Sequence, residues 1–256
     1  MTQDEPVIAI EDVAFSYDGA PVLEKVDIAI YRGDFVSLVG PNGGGKTTLL
    51  KLVLGLLVPT KGRIRVLGLA PAQARHRIGY MPQYAHVDVR FPISVADVVL
   101  MGRLGRGAMP GPYRRADVEA ARQALREVDL LDHGHRPFSD LSGGQRQRAL
   151  IARAIVSEPE IIMLDEPTAS LDVHMEEELY GLLRRLNRRM TVIVVSHDLG
   201  FVSQFVKSVV CVKGQCIIHP TSELTGDLIR TIYGSDVRMV RHDQRCAEGG
   251  HECPSS

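Results

Sequence analysis

The sequence predicts an α/β protein with a mostly parallel sheet covered on both faces, preceded by an antiparallel β segment and interrupted by a helical insertion. Three observations carry this expectation. Short, almost wholly apolar runs recur at Phe35–Val39, Ile161–Leu164 and Val192–Val195, as expected of strands buried on both sides. The first leads through a glycine-rich turn into a leucine-rich stretch of helical length, and the other two each follow a segment of helical composition. Near the N-terminus, Val7–Ile10 and Val26–Ile30 are rich in β-branched residues and flank a turn at Asp18-Gly19-Ala20-Pro21.

Taken in order, the chain opens with that antiparallel pair. Phe35–Val39 then supplies a strand, Gly40 to Gly45 a loop, and Lys46 to Leu57 a helix. Residues from Phe91 to Leu141 read as helical, with breaks at Gly102 to Pro112 and Asp132 to Pro137. We therefore expect a helical subdomain at about 91–155 inserted in one domain of residues 1–241. Residues 242–256 are polar and read as a flexible tail. There is no internal repeat, low-complexity segment or sustained heptad.

Composition narrows the partners. The 256 residues are 45% hydrophobic, enough for one large domain. Thirty basic residues against thirty-one acidic ones give a net charge of -1, which argues against nucleic acid as a partner. The four cysteines lie near the C-terminus and do not form the framework of a small secreted domain, so a reducing cytosol is expected. No signal peptide is visible. The longest apolar region, Leu49 to Val58, contains Lys51 and Gly55 and falls short of the ~20 residues that span a bilayer. Any membrane pathway would belong to another polypeptide.

The chemistry-bearing motifs follow the strands. Gly40-Pro41-Asn42-Gly43-Gly44-Gly45-Lys46-Thr47 fits G-x-x-x-x-G-K-[ST], in which backbone N–H groups wrap phosphate oxygens at a helix start. Lys46 would hold the β- and γ-phosphates, Thr47 would offer its hydroxyl to Mg²⁺, and Thr48 would add a phosphate hydrogen bond. Ile161-Ile-Met-Leu-Asp165-Glu166 sets two carboxylates at the end of an apolar strand. Alone, such a run is usually a strand meeting solvent; beside a phosphate loop, Asp165 suits Mg²⁺ and Glu166 suits the attacking water. Leu141-Ser142-Gly143-Gly144-Gln145 opens a helix that runs through Ala149 to Val156, with Ser142 as N-cap. This is a second anion-binding helix start, and it suggests that two copies close over shared nucleotide.

These motifs together resemble the ATP-binding cassette (ABC) ATPases, and the likeness runs from Tyr17 to His197. It implies a P-loop NTPase core with a mixed sheet, an N-terminal antiparallel β subdomain and an inserted helical subdomain. By this resemblance, Ser142, Gly143, Gly144 and Gln145 meet the γ-phosphate of ATP held by a second copy, and Tyr17 stacks on adenine. Gln83 resembles the glutamine that reaches Mg²⁺ and the water. Ser170-Leu171-Asp172 resembles the loop that contacts the other subunit, and His197 resembles the switch histidine at the γ-phosphate. The cofactors implied are ATP and Mg²⁺. The partners implied are a second copy and transmembrane permease subunits, with an external substrate-binding protein acting indirectly. The location implied is the cytoplasmic face of the inner membrane.

Spacing separates the members of this family. One cassette in the chain argues against a ribosome-acting protein, and fewer than a hundred residues between phosphate loop and signature leave no room for a repair-type coiled coil. A transporter motor is the expected type. A soluble P-loop kinase is the alternative of another class, disfavoured because it has no use for a signature helix. Asp88 to Arg103, His197 to Ser203, Cys211 and Tyr233 to Val237 resemble zinc and manganese importer ATPases, while iron-siderophore, haem and cobalamin importers share parts of the same pattern. In the tail, His242, Cys246, His251 and Cys253 are possible ligands whose spacing matches none of the usual structural zinc sites. Incidental residues of a polar end are the simpler reading.

Overall fold

The computed structural model describes residues 5–83, 92–104, 113–169, 171–196 and 204–223. The N-terminal strands Ile8–Tyr17 (β1) and Ala20–Ile30 (β2) pair antiparallel around Asp18 and Gly19, whose φ angles are 47° and 84°. Positive φ at both central residues is what a two-residue hairpin turn demands, so the turn is tighter than the four residues expected. Both strands also outrun their apolar cores. In β1, Ile8, Ile10, Val13 and Phe15 are buried while Glu11, Asp12 and Tyr17 are exposed. Mixed sequence is normal for a strand with one wet face.

The apolar run Phe35–Val39 forms β3 and leads into the helix Lys46–Val53 (α1). Lys61–Val66 (β4) then completes the antiparallel sheet, in the order β2-β1-β4. The expected helix to Leu57 ends earlier because the chain turns left-handed at Gly55, and the Leu56 N–H returns to the Lys51 carbonyl at 2.9 Å. Gly55 takes φ 63°, and a Cβ there would lie 2.6 Å from the Ala72 nitrogen. The turn of Pro71–Ala74 (α2) occupies that space.

The second sheet has six strands. Ile78–Met81 (β5), Ile161–Asp165 (β6), Thr191–Val195 (β7), Ser208–Lys213 (β8) and Gln215–Pro220 (β9) join β3 in the order β5-β6-β7-β3-β8-β9. All pairs are parallel except β8 with β9. Every residue of β3, β6 and β7 is buried. The mixed sheet and its covering helices place the fold in the α/β class foreseen from the sequence.

The helices Val95–Leu100 (α3), Arg115–Glu127 (α4) and Gly143–Ile155 (α5) pack on one another, with Val98, Leu125 and Ile151 essentially sealed from water. Burying each such side chain contributes about 1.5–3 kcal/mol. These helices and Val173–Asn187 (α6) share one apolar cluster with a face of the six-stranded sheet; α1 and the antiparallel sheet cover the other face. Tyr180 of α6 stacks between Phe35 and Phe205, at centroid distances of 6.4 Å and 5.0 Å, and fixes α6 against β3. Among the described residues no helix is long and apolar enough to cross a membrane.

Candidate functional site

Loops leaving the C-terminal ends of β3, β5 and β6 converge, where ligands of open α/β sheets gather. The loop after β3 is packed so tightly at Gly40 and Gly45 that neither position has room for a side chain. Gly40 has φ 148°, and a Cβ there would lie 2.1 Å from the Val212 carbonyl oxygen of β8. Gly45 has φ 104°, and its Cβ would lie 2.7 Å from Leu23 Cδ2. Gly45 is also the N-cap of α1; no side chain caps that helix and no acidic residue lies in its first turn. The first N–H groups are therefore left to an anion. Gly40→Ala should lower the melting temperature by roughly 5–10 °C, because backbone rather than a flexible side chain must give way. A thermal scan without nucleotide tests this, and an unchanged melting temperature would contradict the close approach.

The lysine of the loop is buried. Lys46 Nζ donates to the carbonyls of Gly40 at 2.8 Å and Pro41 at 3.0 Å, so the side chain arches back over the loop. Burial holds its ammonium below the ordinary lysine range, while Glu166 and Asp165 pull in the opposite direction. Thr48 is buried in the same turn. Asn42 and Gly43 are exposed at the loop's crest, and Gly44 N–H closes a turn on the Pro41 carbonyl at 3.1 Å.

Asp165, the last residue of β6, is 2% exposed. Its Oδ2 accepts from Thr47 Oγ1 at 3.2 Å, and its Oδ1 is buried with no hydrogen-bond partner. Burial raises its pKa above the carboxylate range, with Glu166 adding to the rise; the Thr47 hydroxyl and the Lys46 charge oppose it. A buried carboxylate oxygen left unsatisfied beside a threonine hydroxyl is the donor set of a hard cation such as Mg²⁺. Glu166 follows at φ 52°, a left-handed conformation rare outside glycine, and its N–H donates to the Val195 carbonyl at 3.2 Å. Gln83, just past β5, donates from Nε2 to Glu166 Oε2 at 2.6 Å. Residues distant in sequence thus meet in two pairs, Thr47 with Asp165 and Gln83 with Glu166.

Tyr17 ends β1, is 44% exposed, and lies edge-on to Phe15 at 4.8 Å. Its ring rests against the buried Phe15 and leaves much of its surface to solvent. His197 and Ser170 lie outside the described residues, as do His242, Cys246, His251 and Cys253.

The signature segment forms a separate surface. Ser142 caps α5: its Oγ accepts from Gln145 N at 3.3 Å, and Gln145 Oε1 accepts from Ser142 N at 3.0 Å. A Cβ on Gly143 would meet nothing within 4 Å, whereas one on Gly144 would lie 3.2 Å from Met175 Sδ. A groove of about 240 Å³ runs here between α5 and α6, lined by Ser142, Gly144, Gln145, Arg148, Met175 and Glu178. Arg148 pairs with Glu178 and lies 3.7 Å from Asp129, tying α5 to α6. Among the described residues, the side chains of Ser142 and Gln145 bond to this helix start and to His133, and not to the phosphate loop.

Sequence reading missed several residues that shape the site. Val212 floors the phosphate loop, Tyr80 of β5 stands near Asp165 with its phenol pushed up to about 12, mainly by burial, and Met175 floors Gly144. None has a local motif; each acts through a contact made only by folding.

Strand, glycine loop, helix and paired carboxylates define a P-loop nucleotide-binding protein. The ABC transporter profile matches residues 23–169. The zinc import ATP-binding protein ZnuC of Pseudomonas aeruginosa is 40% identical over 242 residues, 93% of this chain and 83% of that protein. The manganese transport system ATP-binding protein MntB of Bacillus subtilis is 36% identical over 248 residues, 96% of this chain and 99% of that protein. Among solved structures, the ATP-binding cassette MJ0796, a dimer in a post-hydrolysis state with ADP and Pi, is 29% identical with a TM-score of 0.71, over 84% of this chain and 98% of that one. The chain belongs to the ABC transporter family, as an ATP-binding, ATP-hydrolysing subunit.

Proposed function

We propose that the chain powers import of a metal ion, zinc or manganese, through separate membrane subunits. The observation that carries the ATPase side of this reading is the unsatisfied buried oxygen of Asp165 next to Thr47. The names of ZnuC and MntB support the metal, and the dimeric MJ0796 supports action as a pair. Residues 1–241 would form one cassette carrying a helical subdomain at about 91–155.

In this reading ATP lies on the backbone of Gly40 to Gly45, with Lys46 and Thr48 on its phosphates and Tyr17 against adenine. Thr47, Asp165 and Gln83 would hold Mg²⁺, which when bound neutralises developing phosphate charge. Glu166, oriented by Gln83, polarises the attacking water, and His197 supports the γ-phosphate. Ser142, Gly143, Gly144 and Gln145 close on the nucleotide of a second copy. ATP then contacts two subunits in the closed pair and one in the open state, and this difference in affinity is what moves permease subunits docked at the cytoplasmic face of the membrane. Metal specificity would reside in those subunits and in an external binding protein.

The deciding experiment purifies the tagged chain from native membranes and measures ATP turnover of the complex with candidate loaded binding proteins. We expect a multi-helix membrane protein to copurify, and turnover to rise with zinc- or manganese-loaded binding protein. Stimulation only by an iron-siderophore, haem or cobalamin carrier would overturn the metal. Recovery of soluble partners alone would overturn transport.

A further inference from the structure

The side-chain amide of Gln145 is fixed from both ends. Its Oε1 takes the Ser142 N–H at 3.0 Å, so the end facing His133 is the donor, Nε2, at 3.2 Å from the ring Nε2. Two donors cannot share that contact, so His133 Nε2 carries the lone pair and the ring proton sits on Nδ1. His133 is half-buried and closes the 3₁₀ turn Leu131–His133.

That turn is itself anchored. His133 N–H donates to the Leu130 carbonyl and Arg136 N–H to the His133 carbonyl, each at 3.0 Å. The start of α3 grips the same segment, with Ala96 N–H on the Gly134 carbonyl at 2.9 Å and Val95 N–H on the Arg136 carbonyl at 3.0 Å. The imidazole is thus offered to Gln145 from a fixed position, and the amide cannot rotate without losing two hydrogen bonds.

We propose that His133 is a positioning residue for the signature, holding Gln145 so that Ser142 and the first turn of α5 are set for the phosphate of a second copy's nucleotide before that copy arrives. The inference rests on the reading that the signature closes on a partner's nucleotide. Ordering a side chain in advance lowers the cost of association. Losing one such hydrogen bond should raise the ATP needed for closure about fivefold per signature, and a symmetric pair loses two.

The test titrates ATP against dimer formation of the full chain by sedimentation, in the Glu166→Gln background that arrests turnover. Adding His133→Phe, which keeps a ring but removes the acceptor, should move the ATP midpoint up by at least about fivefold. His133→Gln, whose Oε1 can accept in place of the ring nitrogen, should restore it, and melting temperatures of the three chains should agree. Should the Phe chain misfold, His133→Lys, which offers only donors, takes its place with the same expected shift. If Glu166→Gln alone never dimerises with ATP, the sandwich reading falls and this inference with it. If it dimerises and the Phe (or Lys) change leaves the midpoint in place, or His133→Gln is equally impaired, the inference alone is overturned.

Discussion

Glu166→Gln should reduce ATP turnover by about 10²–10⁴-fold while leaving ATP binding close to that of the parent chain. The amide has the size and shape of the carboxylate, and its oxygen can still accept the hydrogen bond that Gln83 Nε2 makes at 2.6 Å. The backbone at φ 52°, tied to Val195, is undisturbed. What the amide lacks is the negative charge that polarises water and the basicity to take its proton. A variant arrested in this way should accumulate as an ATP-bound dimer, visible by sedimentation, because the step that reopens the pair is blocked. Full turnover would remove Glu166 from the role proposed for it. A monomer at saturating ATP would remove the sandwich.

Asp165→Asn should show two effects of opposite sign. Hydrolysis should fall by about 10²–10³-fold and require a higher Mg²⁺ concentration, because the buried oxygen suited to the cation no longer carries charge. The nucleotide-free chain, in contrast, should melt at a higher temperature. Folding raises the pKa of Asp165 chiefly by burial, so at pH values above the ordinary aspartate range the ionised carboxylate subtracts stability. As pH falls through the raised pKa the group takes up a proton and the penalty fades. The neutral amide never bears that penalty, so the gap between variant and parent should narrow on acidification. Thermal scans of both chains across that range provide the measurement, and a variant less stable than the parent at neutral pH would contradict the origin assigned to the shift.

The parts of the fold legible in the sequence are those whose signal is local. The strands β3, β6 and β7 are apolar throughout because both faces are covered, and no partner is needed to recognise them. The edge strand β9 is harder to see: Ile217 is 56% exposed and only Cys216 is buried, so Gln215–Pro220 resembles a loop until β8 pairs with it. The strand β5, four residues ending just before Pro82, is too short to show a period. Helix α1 is shorter than its leucines suggest: Leu54, Leu56 and Leu57 favour helix, but Gly55 takes φ 63° and ends it with the Leu56 N–H on the Lys51 carbonyl.

The same division holds in the site. The glycine loop and the carboxylates are contiguous motifs, and each points to its chemistry alone. The pairing of Gln83 with Glu166 and the Val212 floor join segments far apart in the chain, and the His133 contact spans twelve residues across a turn; no motif announces them. Tyr17 required the resemblance, since an aromatic on a strand is ordinarily core.

The contact between Val212 and the phosphate loop has a consequence for the order in which the protein becomes competent during synthesis. The loop belongs to the first fifth of the chain, yet its floor is β8, and Gly214 at the following turn donates to Gly44 and accepts from Glu24. A nascent chain that stops short of this hairpin carries a complete motif on an incomplete support. The nucleotide pocket is therefore finished late although its recognisable sequence emerges early, and a ribosome-bound fragment ending before β8 offers glycines without the wall that shapes them.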